Sequence, residues 1–317
     1  MNAKPTYTII APIYNEVDNI PMLYDRISEV MAKTGEPWEF VMVDDGSSDG
    51  STDAILKLEA GDKKVKQVIF ARNFGHQIAV TAGLDTSMGE AVIIIDADLQ
   101  DPPEVILELI QKWKEGYEVV YAVRSKREGE TWFKLFTASA FYRIIQRITD
   151  VDIPTDTGDF RLLDGKVVQV LNGMREKHRF LRGMSVWVGF KQTGVEYVRA
   201  ERFAGETKYP LKKMIRFASD AITGFSYFPL QLAMYLGFIA AGLSIISIPV
   251  VIVLRLAGSQ AFFGQATTLI AVLFLGGVQL ISLGLLGEYV GRLYDEAKDR
   301  PVYIVRENLE EEKEKGT

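Results

Sequence analysis

The sequence predicts an α/β domain built on a largely parallel sheet and followed by two membrane-spanning helices. The first observation is an alternation of apolar, β-rich runs with helical stretches from Tyr7 to Arg124, the pattern of a sheet with helices on both faces. The second is a sharp change of composition near residue 229: no charged residue occurs between Asp220 and Arg255, nor between Arg255 and Glu288. Each interval exceeds the ~20 apolar residues that cross a bilayer. The third is that successive strand-like runs end in polar clusters. In open α/β sheets ligands bind beyond the carboxyl ends of the strands.

The run Ala91–Ile95 is unbroken, apolar and rich in β-branched residues, as expected of a strand buried on both faces. It ends in Asp96-Ala97-Asp98-Leu99-Gln100-Asp101, and Pro102-Pro103 opens the next helix. Two carboxylates at i and i+2 past a strand end are able to face one hard cation, and Mg²⁺ is commonly held by one or two carboxylates plus substrate phosphates. A solvated turn explains a bare Asp-X-Asp equally well. The buried strand before it, and the polar strand ends upstream, favour a metal.

Tyr7–Ala11 reads as the first strand, leading into Pro12-Ile13-Tyr14-Asn15-Glu16, with Asp18 or Asn19 as cap of a helix that has Pro21 in its first turn. Trp38–Val43 is the second strand and ends in Asp44-Asp45-Gly46-Ser47-Ser48 before a helix from about Thr52. Val65–Ala71 is the third, followed by Arg72-Asn73-Phe74-Gly75, and Ile78–Asp85 is helical. Glu118–Val123 is a further strand. Asp156-Thr157-Gly158-Asp159-Phe160-Arg161 reads as a small acidic turn. Pro301–Val305 reads as a short strand, and the acidic stretch after it as a solvated tail.

Trp132–Ile148 and Leu211–Phe228 are amphipathic. Each fits a surface helix packed on the sheet, or a helix lying in the lipid interface beside an anchor. Leu230–Leu254 and Ala266–Leu286 are the two expected spans, with small residues such as Gly237, Gly242, Gly276 and Gly277 to allow close helix contact. These small-residue faces also make a homo-oligomer an option. Met1–Pro5 is polar and the run after it is short, so no secretory signal peptide is expected.

Composition excludes other chemistries. The chain has no cysteine, hence no disulfide and no thiol nucleophile. Its two histidines, His76 and His178, are far apart, which disfavours zinc and leaves each a surface or hydrogen-bonding role. A formal charge of −6 gives no sign of a nucleic-acid partner. Neither the P-loop nor the Rossmann dinucleotide fingerprint occurs.

Taken together, Pro12–Glu16, Val43–Ser47, Asp96–Pro103, Asp156–Arg161 and Gly205-Glu206-Thr207-Lys208-Tyr209 resemble the polyprenyl-phosphate glycosyltransferases of the dolichol-phosphate mannose synthase type, with a GT-A fold in glycosyltransferase family 2. Arg124–Arg161 is most similar to bacterial bactoprenol glucosyltransferases. Thr207 stands where the family usually has Ser, so a hydroxyl is kept.

The resemblance implies a membrane enzyme that transfers glucose from UDP-glucose, with inversion, to undecaprenyl phosphate. Pro12, Tyr14, Glu16, Asp44 and Asp96 would bind the nucleotide. Asp96 and Asp98, with Gln100, would hold Mg²⁺ or Mn²⁺. Asp159 and Asp98 would be catalytic, and Arg124, Lys126, Arg127 and Arg202 would meet the lipid phosphate.

It also implies an arrangement along the chain: a cytoplasmic GT-A domain over 1–210, a juxtamembrane amphipathic helix over 211–229, a two-helix anchor over 230–290 and a cytoplasmic strand and tail over 291–317. The protein is expected in the inner (plasma) membrane with both termini cytoplasmic. Two other readings remain open. One is the same fold with GDP-mannose or a UDP-amino sugar as donor, and the other is a non-catalytic nucleotide-sugar-binding membrane protein.

Overall fold

The computed structural model describes residues 4–125, 154, 157–198, 226–257 and 265–306. Within them a seven-stranded sheet has the order β3-β2-β1-β4-β6-β5-β7. The strands are β1 (Tyr7–Ile13), β2 (Trp38–Asp44), β3 (Val65–Ile69), β4 (Ala91–Ile94), β5 (Val119–Arg124), β6 (Thr157–Asp164) and β7 (Gln192–Tyr197). The helices are α1 (Asn19–Ala32), α2 (Ser51–Gly61), α3 (His76–Thr86), α4 (Ile106–Lys114), α5 (Gly165–Gly173), α6 (Leu181–Trp187), α7 (Phe228–Leu256) and α8 (Gln265–Ala297). A short 3₁₀ turn, Pro103–Val105, leads into α4.

The unbroken apolar strands are buried on both faces, as their sequences require. On one face Tyr7, Ile9, Phe40, Met42 and Ile93 meet Ile20, Leu23 and Ile27 of α1 and Ile106 and Leu109 of α4. On the other, Ile10, Val41, Val43, Ile94 and Leu163 meet α3, α5 and α6 through Val80, Leu84, Leu171 and Met184. The alternation along β1 is the two-residue period of a strand.

The sheet is largely parallel with one strand reversed: β6 runs antiparallel to both β4 and β5, while β5 and β7 are parallel. Three expectations are corrected. Thr157–Arg161 is internal strand and not a turn. Its polar side chains are tolerated because they find buried partners, described below. Pro301–Val305 does not form a strand of its own; it contributes a single antiparallel bridge, Phe70↔Val305, and Pro301 has no N–H to extend a ladder. Asp18 stands at the start of α1 in helical conformation, so its side chain does not cap.

The apolar helices α7 and α8 each contain a 27-residue segment long and apolar enough to cross a membrane, and none of its most apolar part is buried in protein. Leu236, Phe238, Ile245, Phe274 and Leu280 are among the exposed side chains. That exposure suits lipid, which needs no protein cover over apolar residues. Helix α8 continues past the expected end at Leu286 through Glu288 and Arg292, which pair with each other at 3.1 Å. The amphipathic stretch Trp132–Ile148 lies outside the described residues, as does Leu211–Phe228 up to its last three residues.

Candidate active site

The loops after β1, β2, β3 and β4 gather at one edge of the sheet. The first two are stitched together by side chain to backbone bonds. Asn15 adopts φ 56°, its N–H donates to Ser47 Oγ at 3.0 Å, and its Oδ1 accepts from Ser48 N at 2.9 Å. Glu16 N donates to Ser51 Oγ at 3.0 Å, while the Glu16 carboxylate accepts from Asn19 Nδ2. Tyr14, half exposed, stands at the open rim.

Asp44 behaves differently. It is fully buried, and its two oxygens accept from Ser47 N and the Thr52 hydroxyl. It braces the loop from inside and does not face the open rim. Asp45 accepts from Phe74 N at 2.6 Å and Gly75 N at 2.9 Å, tying the β2 and β3 loops together. Burial raises its pKa against the pull of those two N–H groups. Gly46 completes the junction: it has φ 73°, and a Cβ there would lie 2.6 Å from the Arg72 carbonyl carbon. Only glycine allows both the left-handed turn and the close approach.

Beyond β4, Ala97 and Leu99 are packed into the core, whereas Asp96 and Asp98, on either side of Ala97, are half-buried. Leu99 has φ 57°, a strained state for a branched residue that its packed side chain sustains. The bend lets Gln100 N donate to Asp98 Oδ1 at 3.1 Å. Gln100 itself is buried, as is Asp101, which accepts from the Tyr197 hydroxyl.

Two oxygen-rich carboxylates on one turn suit a hard divalent cation. Asp96 Oδ1 is buried without a hydrogen-bond partner among the described residues, as a ligand oxygen would be. No three acidic or histidine groups converge as a cage among those residues, so further ligands would come from substrate phosphates and water. Burial, against the pull of His76 and with the neighbouring Asp159, Asp101 and Asp98 charges, raises Asp96 to about 6.

The antiparallel course of β6 delivers the next group. Ile94 pairs with Arg161. Continuing that register two residues sets Asp159, near the start of β6, opposite Asp96, just past the end of β4. Asp159 is buried. Its Oδ1 accepts from Arg182 Nε at 2.8 Å, and its Oδ2 from Gln77 Nε2 at 3.0 Å, with His76 Nε2 at 3.1 Å. Burial alone would raise this carboxyl; Arg182 and His76 outweigh it and hold it well below the usual range. His76 also lies 3.7 Å from Asp96 Oδ1. Burial disfavours its cation, but the Asp159 hydrogen bond and the Asp96 and Asp159 charges lift it to about 9.

Arg161 does not touch Asp159. It is buried, donating to Ser185 Oγ and, at 3.0 Å, to Gly158 O; burial lowers it to about 10. Arg124 lies against Gly158, where a Cβ would come within 2.8 Å of its Nη2, and its Nε donates to the Tyr197 hydroxyl at 3.3 Å. Of the residues expected at a lipid phosphate, Arg124 is thus beside the Asp159 strand, and Lys126, Arg127 and Arg202 lie outside the described residues.

Three site residues were not singled out by sequence: His76, Gln77 and Arg182. The first two follow directly on the Arg72–Gly75 strand end, which pointed to the same edge. The third belongs to the segment Arg179–Gly183, whose arginines and glycine suit phosphate contact and solvated charge alike.

A sheet edge with paired carboxylates, beside a charged carboxylate cluster and carried by two exposed apolar helices, agrees with the sequence comparisons. The family model described as Glycosyl transferase family 2 matches residues 8–171, and the model described as GtrB C-terminal hairpin matches 228–293. An uncharacterized glycosyltransferase, YkcC, of Bacillus subtilis is 52% identical over 97% of this chain and 95% of its own. A prophage bactoprenol glucosyl transferase homolog of Escherichia coli is 41% identical over 94% of this chain and 98% of its own. The bactoprenol glucosyl transferase of Shigella phage SfV is 41% identical over 94% and 97%. The chain is thus a glycosyltransferase of family 2, with a GT-A catalytic domain and a C-terminal helical hairpin.

Proposed function

We propose that the protein transfers a hexose, glucose from UDP-glucose, with inversion onto a membrane polyprenyl phosphate such as undecaprenyl phosphate. The observation that carries this reading is His76 Nε2 lying 3.1 Å from Asp159 and 3.7 Å from Asp96. It joins a donor-type carboxylate turn to a cation-bracketed carboxylate on one sheet edge, in a chain with two exposed apolar helices. Relatives named bactoprenol glucosyl transferase support the lipid and the sugar.

Tyr14 and Glu16 at the open rim would contact base and ribose, with Pro12 and Asp44 shaping the loop beneath them. Asp96 and Asp98, with Gln100 beside them, would hold Mg²⁺ or Mn²⁺, which when bound supplies charge neutralisation at the leaving diphosphate. A phosphate oxygen of the acceptor forms the new bond to the anomeric carbon as the bond to the nucleotide diphosphate breaks on the opposite face.

The acceptor needs little help with its proton. The second pKa of a phosphate monoester is ~6, so it is mostly a dianion at neutral pH. Asp159, held low by Arg182 and His76, is a weak proton acceptor. Its part in this reading is to position Arg182 and His76, whose positive charges face the incoming dianion, and attack geometry is the larger effect. Arg124 is the described candidate for a direct phosphate contact.

The test is purified protein in detergent with undecaprenyl phosphate and a donor panel of UDP-glucose, GDP-mannose and a UDP-amino sugar. Expected is release of UDP from UDP-glucose that requires the lipid phosphate, with glucosyl lipid seen by mass spectrometry. Turnover of another donor would change the sugar. Binding of donor without any turnover, with lipid present, would leave a nucleotide-sugar-binding protein.

A further inference from the structure

The segment that leaves the second apolar helix does not trail away from the catalytic domain. It is fastened there at three places. At the end of α8, Glu296 accepts from Lys177 N at 2.7 Å, His178 pairs with Asp295 at 3.3 Å, and the Lys177 ammonium donates to Arg300 O. Further on, the Tyr303 hydroxyl donates to Asp85 at 2.9 Å, and Asp85 also holds Arg175 at 2.8 Å. Burial and the Asp85 charge push that hydroxyl up to about 12, so it stays a donor. Finally, the Tyr303 ring stacks on Phe70 at 5.1 Å, and Ala71 N donates to Ile304 O at 2.9 Å.

Two of these points lie on or next to an element that delivers a group to Asp159, and the third on the strand end that leads into α3. Asp85 is near the far end of α3, whose first two residues are His76 and Gln77. The 174–180 loop leads into α6, which carries Arg182. Phe70 and Ala71 precede the Arg72–Gly75 loop held by Asp45. The elements are also joined to each other, because Leu181 N donates to Gln77 Oε1 at 3.0 Å.

We propose that Asp295–Val305 is a clasp that holds α3 and α6 in the arrangement bracketing Asp159, with Tyr303 as its positioning residue. The membrane helix is then part of the framework of the acceptor end of the site. The proposal rests on reading Asp159 as the acceptor-end carboxylate, and a measurement independent of turnover separates the two.

In full-length protein, Tyr303→Ala is compared with wild type by amide hydrogen exchange and by steady-state kinetics. Expected is exchange at least about 10-fold faster in α3 and α6 with β1 and β2 unchanged, since local opening leaves the core protected. With it comes a fall in kcat of about 10-fold or more at near-constant donor KM, as displaced reacting groups require. Tyr303→Phe, which keeps the ring on Phe70, should restore most of both. Unchanged exchange overturns the clasp, and so does faster exchange with undiminished transfer. Should Tyr303→Ala fail to fold, Tyr303→Phe carries the test: a partial rise in exchange confined to α3 and α6 supports the clasp, and exchange equal to wild type overturns it. Altered exchange in a protein whose wild type transfers no sugar would leave the clasp standing and remove the functional reading.

Discussion

The same substitution, Asp to Asn, should lower transfer at Asp159 and at the Asp96–Asp98 pair for different reasons. Asp98→Asn should abolish transfer and Asp96→Asn should reduce it severely, by more than about 100-fold, because even outer-shell losses at metal sites cost 10–100-fold. Both proteins should fold, and Mn²⁺ binding measured by electron paramagnetic resonance should weaken in parallel. Near wild-type turnover of Asp98→Asn in saturating metal, or an active wild type in chelator, sinks the metal reading.

For Asp159 the sign of the pKa shift matters. A carboxyl held well below its usual value is ionised across the working range. Asp159 adds no inflection of its own, so wild-type activity should rise near pH ~6 as the acceptor phosphate and Asp96 ionise, and hold until His76 loses its charge near about 9. Asp159→Asn should keep the rise near pH ~6 at about 100-fold lower rate, the size of a positioning defect. Recovery of the mutant toward wild type at about pH 8 would instead make Asp159 the acceptor's proton sink. The same depressed pKa stabilises the fold above the unfolded value of ~3.9, a contribution lost as pH falls below it.

Among the elements, the β2–β3 junction is the least forgiving. Gly46→Ala combines a positive φ with a 2.6 Å approach to backbone. The left-handed conformation alone costs about 1–2 kcal/mol, so the unfolding free energy should fall by at least that and the thermal midpoint with it, with donor affinity falling as the Asp45 tie loosens. An unchanged unfolding midpoint would mean that the loop rearranges freely.

This element scale also shows what the sequence revealed and why it stopped. Strands β1, β2 and β4 were legible because burial on both faces demands continuous apolar runs. Strand β6 was not, because Thr157, Asp159 and Arg161 put polar side chains inside a sheet and so look like a turn. Their partners, His76, Gln77, Arg182 and Ser185, are distant in sequence, and no local pattern announces them. His76 passed as an ordinary histidine for the same reason. The carboxylate pair was legible because strand end and ligand spacing are both local.

At the scale of the molecule, the placement of charge around the two apolar helices makes a topological expectation. Lys208, Lys212, Lys213 and Arg216 precede the first span; Arg292, Lys298 and Arg300 follow the second; the connecting stretch carries only Arg255. The positive-inside bias then puts the catalytic domain and both termini in the cytoplasm, where nucleotide sugars are made. In a chain without native cysteine, Ser259→Cys should react with an impermeant maleimide from outside intact cells and Asn2→Cys should not. The reverse pattern would invert the protein.

The reversed direction of β6 has a consequence for how such a protein is able to diversify. Asp159 is placed by the pairing of β6 to β4 and β5, not by the length of chain that precedes it. Exchanges in the sequence between β5 and β6 should then leave the distance between the two carboxylate groups untouched, so one catalytic edge could be fitted to different acceptors. A single residue added inside β6 is another matter: every side chain after it changes face, so an insertion between Asp159 and Arg161 turns Arg161 away from Ser185. Transplanting residues 126–153 from a relative should therefore alter acceptor preference while leaving donor binding intact.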